Sequence, residues 1–237
     1  MPGMTCIVPL AGPDLYSSEK GFRPLYALPE GPLLRVALRG RPWAQRGGME
    51  GADYVFVVRE AGPIEDLIRF LRTGWPGCRI VRLSDGTGGA LFSALAGVAY
   101  SGNGGALCLD LADILFDADE TLGHKWGQRV GGITPCFRSQ EACYSYLEEE
   151  DGRVTRAAEK IVISDKASAG VYFFRDSAIF LGAAAHSIAN ASTLAYNGVL
   201  FVCPAMNGVL AQGLEVESPM VWNERPVGKL FHQVNDT

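Results

Sequence analysis

Four short apolar runs, at residues 5–10, 53–58, 79–83 and 106–111, alternate with stretches of helical character over the first half of the chain. No single motif constrains the fold as strongly. Strands separated by helix-length segments imply βαβ crossovers and a mainly parallel sheet. Between the runs, residues 33–38 place apolar side chains at near-helical spacing. Residues 63–72 open with Pro63 and carry Glu65 and Asp66 in the first turn, and residues 89–100 are rich in Ala and Leu. Sheets of this kind bind ligands beyond the carboxyl ends of their strands. The loops after Leu10, Leu83 and Leu111 are therefore expected along one rim.

The second half differs in character. Its runs at 131–137, 143–147, 154–158 and 169–174 are short and separated by turn signals, and Asp151-Gly152 suits a hairpin. They predict antiparallel or mixed strands added to the parallel half. Helices are expected at 179–189 and 205–212, the second stopped by Gly213, with a strand at 199–202. No internal repeat or linker interrupts the 237 residues, so one domain with halves 1–118 and 119–237 is expected.

Composition excludes several classes. With 21 Lys and Arg against 26 Asp and Glu, the net charge of −5 offers no grip on a nucleic-acid backbone. Residues 1–12 lack a basic start and are broken by Pro9, unlike a signal peptide. No apolar stretch approaches the roughly 20 residues of a membrane helix. A cytoplasmic protein with no membrane partner is expected. Of the six cysteines, Cys6, Cys108 and Cys203 lie inside apolar runs, and no C-x-x-C pair occurs. Reduced thiols and no structural zinc follow.

Four places can carry chemistry. The loop at 11–24 follows the first strand; Gly12 lets the backbone approach a phosphate, and Arg23 can neutralise it in a bidentate manner. The bland reading is an ordinary loop with a solvated arginine. No G-x-x-x-x-G-K-[ST] motif is present, so this is not a P-loop. Ser84 to Ala90 leaves a strand and opens a helix, so the donors of Thr87, Gly88 and Gly89 favour a polar or anionic ligand. A glycine-rich turn with Thr87 as N-cap fits equally. Asp113, with Asp110 and Asp117 as neighbours, sits where a core strand ends, a position suited to magnesium or to a plain helix cap. Glu159-Lys160 ends a strand in the second half, where the ammonium can hold a phosphate or stay solvated. No Ser/His/Asp or Cys/His hydrolase pattern is visible.

In order and spacing these segments resemble the nucleotidyltransferases that make nucleotide sugars, especially their capsule- and lipopolysaccharide-associated branch. The match begins with Ile7-Val8-Pro9-Leu10-Ala11-Gly12, Gly21-Phe22-Arg23-Pro24-Leu25 and Gly31-Pro32-Leu33. It continues through Thr87-x-Gly89, the strand ending at Asp113, Gly131-Gly132-Ile133, Asp151-Gly152-Arg153-Val154, Glu159-Lys160, Ala169-Gly170-Val171-Tyr172-Phe173 and Phe201 to Asn207.

The resemblance implies a GT-A-like α/β three-layer sandwich, a Rossmann-like mixed sheet with a small substrate-side β lobe. It implies attack of a phosphate monoester on the α-phosphate of a nucleoside triphosphate, with release of pyrophosphate. Leu10, Ala11, Gly12, Thr87, Gly88 and Gly89 would bind the nucleotide, and Gly132, Glu159 and Lys160 the sugar phosphate or similar small phosphate. Arg23 stands where the family's loop lysine stands, and Arg23 and Lys160 would be the catalytic cations. Asp113 would hold Mg2+, with Asp236 as the candidate second carboxylate near a C-terminus where the family has a Gly-Thr-Pro-like segment. A homo-oligomer is left open.

The chain departs from the family at Pro13, Asp14 and Leu15, where a second glycine and an arginine are usual. Pro13 removes an N–H donor, and Asp14 puts a negative charge near the triphosphate. That departure keeps an alternative: a catalytically impaired nucleotide- or sugar-nucleotide-binding homologue or partner subunit. A glycosyltransferase on the same fold would need a D-x-D motif, and Asp117-Ala118-Asp119 has that spacing further from the strand.

Overall fold

A computed structural model describes residues 3–227, apart from 47 and 103–104. A seven-stranded sheet forms its centre. In chain order the strands are β1 (Thr5–Pro9), β2 (Tyr54–Arg59), β3 (Arg79–Leu83), β4 (Leu107–Asp110), β5 (Val130–Ile133), β6 (Val171–Phe174) and β7 (Glu215–Glu217). In space they run β7-β5-β6-β4-β1-β2-β3. β1 pairs in parallel with β2 and β4, and β2 with β3. β6 lies antiparallel between β4 and β5, and β7 closes the far edge parallel to β5.

The inner strands β1, β2, β4, β5 and β6 are buried on both sides, as a sheet between helices requires, while the edge strands β3 and β7 are only partly covered. Alternate residues divide between two cores. Cys6 and Val8 of β1 and Tyr54, Phe56 and Val58 of β2 face one side. They pack there with α1 (Leu33–Arg39), α2 (Pro42–Arg46) and α3 (Ile64–Gly74). Ile7, Val55, Val57, Leu107 and Leu109 face the other side. Their partners are α4 (Ala90–Val98), α5 (Ser177–Ala189) and α7 (Met206–Ala211), with the short α6 (Ala191–Leu194) following α5. The result is a helix–sheet–helix sandwich, and each fully buried aliphatic or Phe side chain contributes roughly 1.5–3 kcal/mol. No helix among the described residues is long and apolar enough to cross a membrane.

A smaller sheet packs beside the first. It joins Cys136–Arg138, Lys166–Ser168, Ser145–Glu150 and Arg153–Glu159 in that spatial order. Asp151 (φ 50°) and Gly152 (φ 75°) turn the expected hairpin in its last two strands.

Several elements differ from the sequence expectation. The run at 131–137 divides at Thr134-Pro135 into β5 and a strand of the small sheet, and of the run at 169–174 only Val171–Phe174 is strand, with Gly170 at φ 74° before it. Residues 199–202 form no strand. Val199 makes only an isolated bridge to Tyr196, and the chain then enters a 3-10 turn at Cys203–Ala205. The backbone of this segment is used elsewhere: Leu200 N–H donates to Gly88 O at 3.0 Å, and Leu91 N–H donates to Leu200 O at 3.2 Å. Ile114–Asp117 and Trp222–Pro226 pair as an unanticipated two-stranded ribbon.

One charged pair lies in the core. Arg41 and Asp110, 2% and 0% exposed, join through Nε and Nη2 at 2.8 and 2.9 Å. The guanidinium also lies 4.2 Å from the Phe116 ring centroid. Burial alone would lower the Arg41 pKa, but the Asp110 carboxylate outweighs it and holds the guanidinium charged. Leaving one partner of such a pair alone typically costs about 3–5 kcal/mol.

Candidate active site

The first loop is built from backbone continuity and a small hairpin. Leu10 N–H donates to Val57 O at 2.8 Å, so β1 keeps its pairing one residue past its end. Leu10 and Ala11 are buried. Gly12 then opens the 3-10 turn Pro13–Leu15, closed by Leu15 N–H to Gly12 O at 3.1 Å. Tyr16–Ser17 and Gly21–Phe22 pair antiparallel, with Gly21 at φ 72° and the Tyr16 and Phe22 rings 4.9 Å apart. This hairpin folds the chain back, so that Arg23 Nη1 meets Asp14 Oδ2 at 2.7 Å. Arg59, ending β2, donates from Nε to Gly12 O and from Nη2 to Pro13 O, both at 3.3 Å.

Asp113 stands at the next strand end. Asp110 Oδ1 accepts from Ala112 N–H at 2.8 Å, and Ala112 takes φ 54°, which turns the chain out of β4. Asp110 is thereby fully committed to Arg41 and this turn. Asp113 is different: its Oδ1 is buried with no hydrogen-bond partner. Gly170, at φ 74°, makes room for it, since a Cβ there would lie 2.8 Å from Asp113 Oδ1. Burial raises the Asp113 pKa above the usual carboxylate range, Arg23 opposes the rise, and Asp110 and Asp14 add to it.

Glu159 and Lys160 reach the same neighbourhood from the small sheet. Glu159 is 7% exposed and accepts a short hydrogen bond from Ser145 Oγ. Burial pushes its pKa up to about 7 against Ser145 and Lys160, and Asp113 adds to the rise. Lys160 has φ 53°, and its N–H donates to Tyr144 O at 3.1 Å. Its ammonium sits 5.3 and 5.1 Å from the Tyr196 and Phe201 ring centroids, a cation–π arrangement.

The turn before α4 joins this edge through Leu200. Thr87 Oγ1 donates to Gly89 O at 2.8 Å and lies 2.8 Å from Ser93 Oγ. Gly89 itself is the N-cap, without side-chain capping, so Thr87 is not the cap. Gly89 has φ 132°, and a Cβ there would stand 2.1 Å from Leu200 O. Thr87 and Gly88 remain exposed.

Contacts and electrostatic neighbours thus connect most of the residues named from the sequence. Gly88 and Gly89 touch Leu200, and the adjacent Phe201 touches Lys160. Lys160 and Asp113 both act on Glu159, and Arg23 and Asp14 both act on Asp113. Gly132 is not part of this group. It pairs with Phe174, which pairs with Leu107, three residues and about 10 Å along the sheet from Asp110. The space of its absent side chain is taken by Met206 Sδ. Asp236 lies outside the described residues. Asp117 accepts from Asn223 Nδ2 at 2.7 Å, and Asp119 accepts from Thr121 N–H and Oγ1 at 2.8 and 2.6 Å. The two carboxylates of that D-x-D spacing are therefore engaged, one across the two-stranded ribbon and one in a local turn. Among the described residues no group of three or more His, Cys, Asp or Glu side chains is arranged to hold a metal.

Sequence reasoning missed Arg59 and the aromatic pair under Lys160. The position of Arg59 at a strand end on the ligand rim was the available signal. An open depression of about 640 Å³ lies on the second half, lined by residues that include Glu149, Lys166, Glu217 and Ser218, none of them a rim residue. Lys166 is already paired there with Glu149 at 2.5 Å.

No protein-family model and no curated protein matches the chain. Solved structures do resemble it. A nucleoside-diphosphate-sugar pyrophosphorylase from Vibrio cholerae RC9 superposes with TM-score 0.80 at 18% identity, covering 97% of this chain and all of the other. A Bacillus anthracis protein assigned as a glucose-1-phosphate thymidylyltransferase, solved with sucrose, gives 0.72 at 15% identity, covering 99% and 96%. The inositol-1-phosphate CTP transferase of T. maritima gives 0.67 at 12% identity, covering 100% and 97%. The chain has the fold of these nucleotidyltransferases over its whole described length.

Proposed function

We propose that the chain is a magnesium-dependent nucleotidyltransferase that joins a nucleoside triphosphate to a sugar phosphate or related phosphate monoester. One observation carries the reading. Asp113 presents a buried, unpartnered carboxylate oxygen just beyond the end of β4, within electrostatic reach of Arg23 and of Glu159, the neighbour of Lys160. The fold shared with sugar-nucleotide enzymes supports it.

A phosphate oxygen of the acceptor would form the new bond to the α-phosphorus as the α–β anhydride breaks, and pyrophosphate would leave. Catalysis of such a transfer is mainly positioning and charge stabilisation. Leu10 to Gly12 and the turn at Thr87, Gly88 and Gly89 would flank the nucleotide. Arg23 would neutralise triphosphate oxygens, and Lys160 would fix the acceptor phosphate as a point charge. Glu159 would accept from a sugar hydroxyl.

The orphaned Asp113 oxygen fits a hard cation that takes one or two carboxylates and otherwise water and phosphate. Asp113, with Asp236 as second candidate, would hold Mg2+, which supplies charge neutralisation and orientation of the phosphates. The reading favours a cytoplasmic enzyme supplying nucleotide-activated sugar, with surface-polysaccharide synthesis as the branch indicated by the sequence resemblance.

The Asp14–Arg23 ion pair favours one second reading, a binding protein that has lost turnover. A panel of nucleoside triphosphates, Mg2+ and sugar phosphates, assayed for pyrophosphate release, separates the two. Release with at least one combination is expected. Calorimetric binding of nucleotide by folded protein without any release would establish the second reading instead.

A further inference from the structure

We propose that Asp14 is a built-in competitor for the anion seat of the first loop, occupying Arg23 until polyphosphate displaces it. The inference rests on the reading of this loop as the triphosphate seat. The Asp14 carboxylate lies 2.7 Å from Arg23 Nη1, and the two side chains are only 22% and 13% exposed. The same carboxylate folds back over the turn, where its Oδ1 lies 2.8 Å from the place of a Cβ on Gly12. That glycine is the residue whose backbone would face an incoming phosphate.

The rest of the turn strengthens the effect. Pro13 has no N–H to offer. At Arg23 an incoming anion therefore meets a guanidinium already engaged by a carboxylate. Carboxylate and phosphate both suit the planar guanidinium fork, so they compete for it. A single carboxylate is displaced more readily by a multiply charged polyphosphate than by a monophosphate. Asp14 thus makes the loop selective for polyphosphate charge and sets its affinity below what Arg23 alone would give.

Calorimetric titration with tripolyphosphate, without divalent cation, tests this on the wild type, Asp14→Asn, Arg23→Gln and the double variant. Asp14→Asn is expected to bind about two- to fivefold tighter, the scale of releasing one partly exposed ion pair. The gain should vanish in the double variant. Thermal melting confirms that each protein is folded, and Asp14→Ser supplies the same readout if the amide disturbs the turn. Unchanged affinity in Asp14→Asn, while Arg23→Gln weakens binding, overturns the competitor role and leaves the loop assignment standing. Binding indifferent to Arg23 overturns both. A repeat with Mg2+ in which Asp14→Asn binds more weakly than wild type makes Asp14 a metal carboxylate and overturns the competitor role as well.

Discussion

Glu159 is the residue whose burial should be visible in a stability measurement. Its ordinary pKa of 4.5 rises to about 7 in the fold, chiefly through loss of water around the carboxylate. Below about pH 4.5 both folded and unfolded chains hold the proton, so the residue has no effect. As pH rises from there to about 7, the unfolded chain releases the proton while the folded one keeps it, and stability falls. Above that window the penalty is complete, roughly 3 kcal/mol by linkage. Urea midpoints of the metal-free protein should therefore drop between mildly acidic and mildly alkaline pH. Glu159→Gln, which still accepts from Ser145, should flatten the drop. Parallel profiles for the two proteins would contradict this account of the carboxyl. Asp110 and Asp113 make the complementary point. They are three residues apart, yet one is consumed by Arg41 and the other is left with an oxygen unbonded.

At the level of elements, the junction between the start of α4 and residues 199–201 holds the Thr87–Gly89 turn against the lobe that carries Lys160. Gly89 is the only side chain size that fits, because φ is 132° and Leu200 O stands 2.1 Å from a Cβ. Gly89→Ala should lower stability by about 1–3 kcal/mol, read from the urea midpoint. A variant as stable as wild type would mean that the junction is not fixed as described. The same junction explains where sequence reading ended. The strands at 5–10, 53–58 and 79–83 were legible because their length, β-branched content and helical spacers are local properties. Residues 199–202 carry the same local signal, but their partner is a helix entrance far away in the chain. Gly12, Arg23, Asp113 and Lys160 were legible as an ordered set of segments. The Asp14–Arg23 pair depends on a hairpin return, the rings under Lys160 on a tertiary contact, and the distance of Gly132 from the rim on strand register. None of these is written in spacing.

At the scale of the whole molecule, a mostly parallel sheet collects strand-end loops on one edge, and the small second sheet brings an ammonium to that edge from the other half of the chain. The electrostatic neighbours around Asp113 and Glu159 therefore link Arg23, Asp113 and Lys160, which lie far apart in sequence and which the proposed function makes a nucleotide-side cation, a metal carboxylate and an acceptor-side cation. Steady-state kinetics of pyrophosphate release tests that union most directly. Asp113→Asn should lower kcat by about 10²-fold or more, the usual scale for removing a charge-stabilising group from such a site. Arg23→Gln should raise the KM for nucleotide, and Lys160→Gln the KM for sugar phosphate, all with cooperative melting retained. Turnover that survives Asp113→Asn undiminished, with both KM values unmoved by the other two changes, would contradict the account.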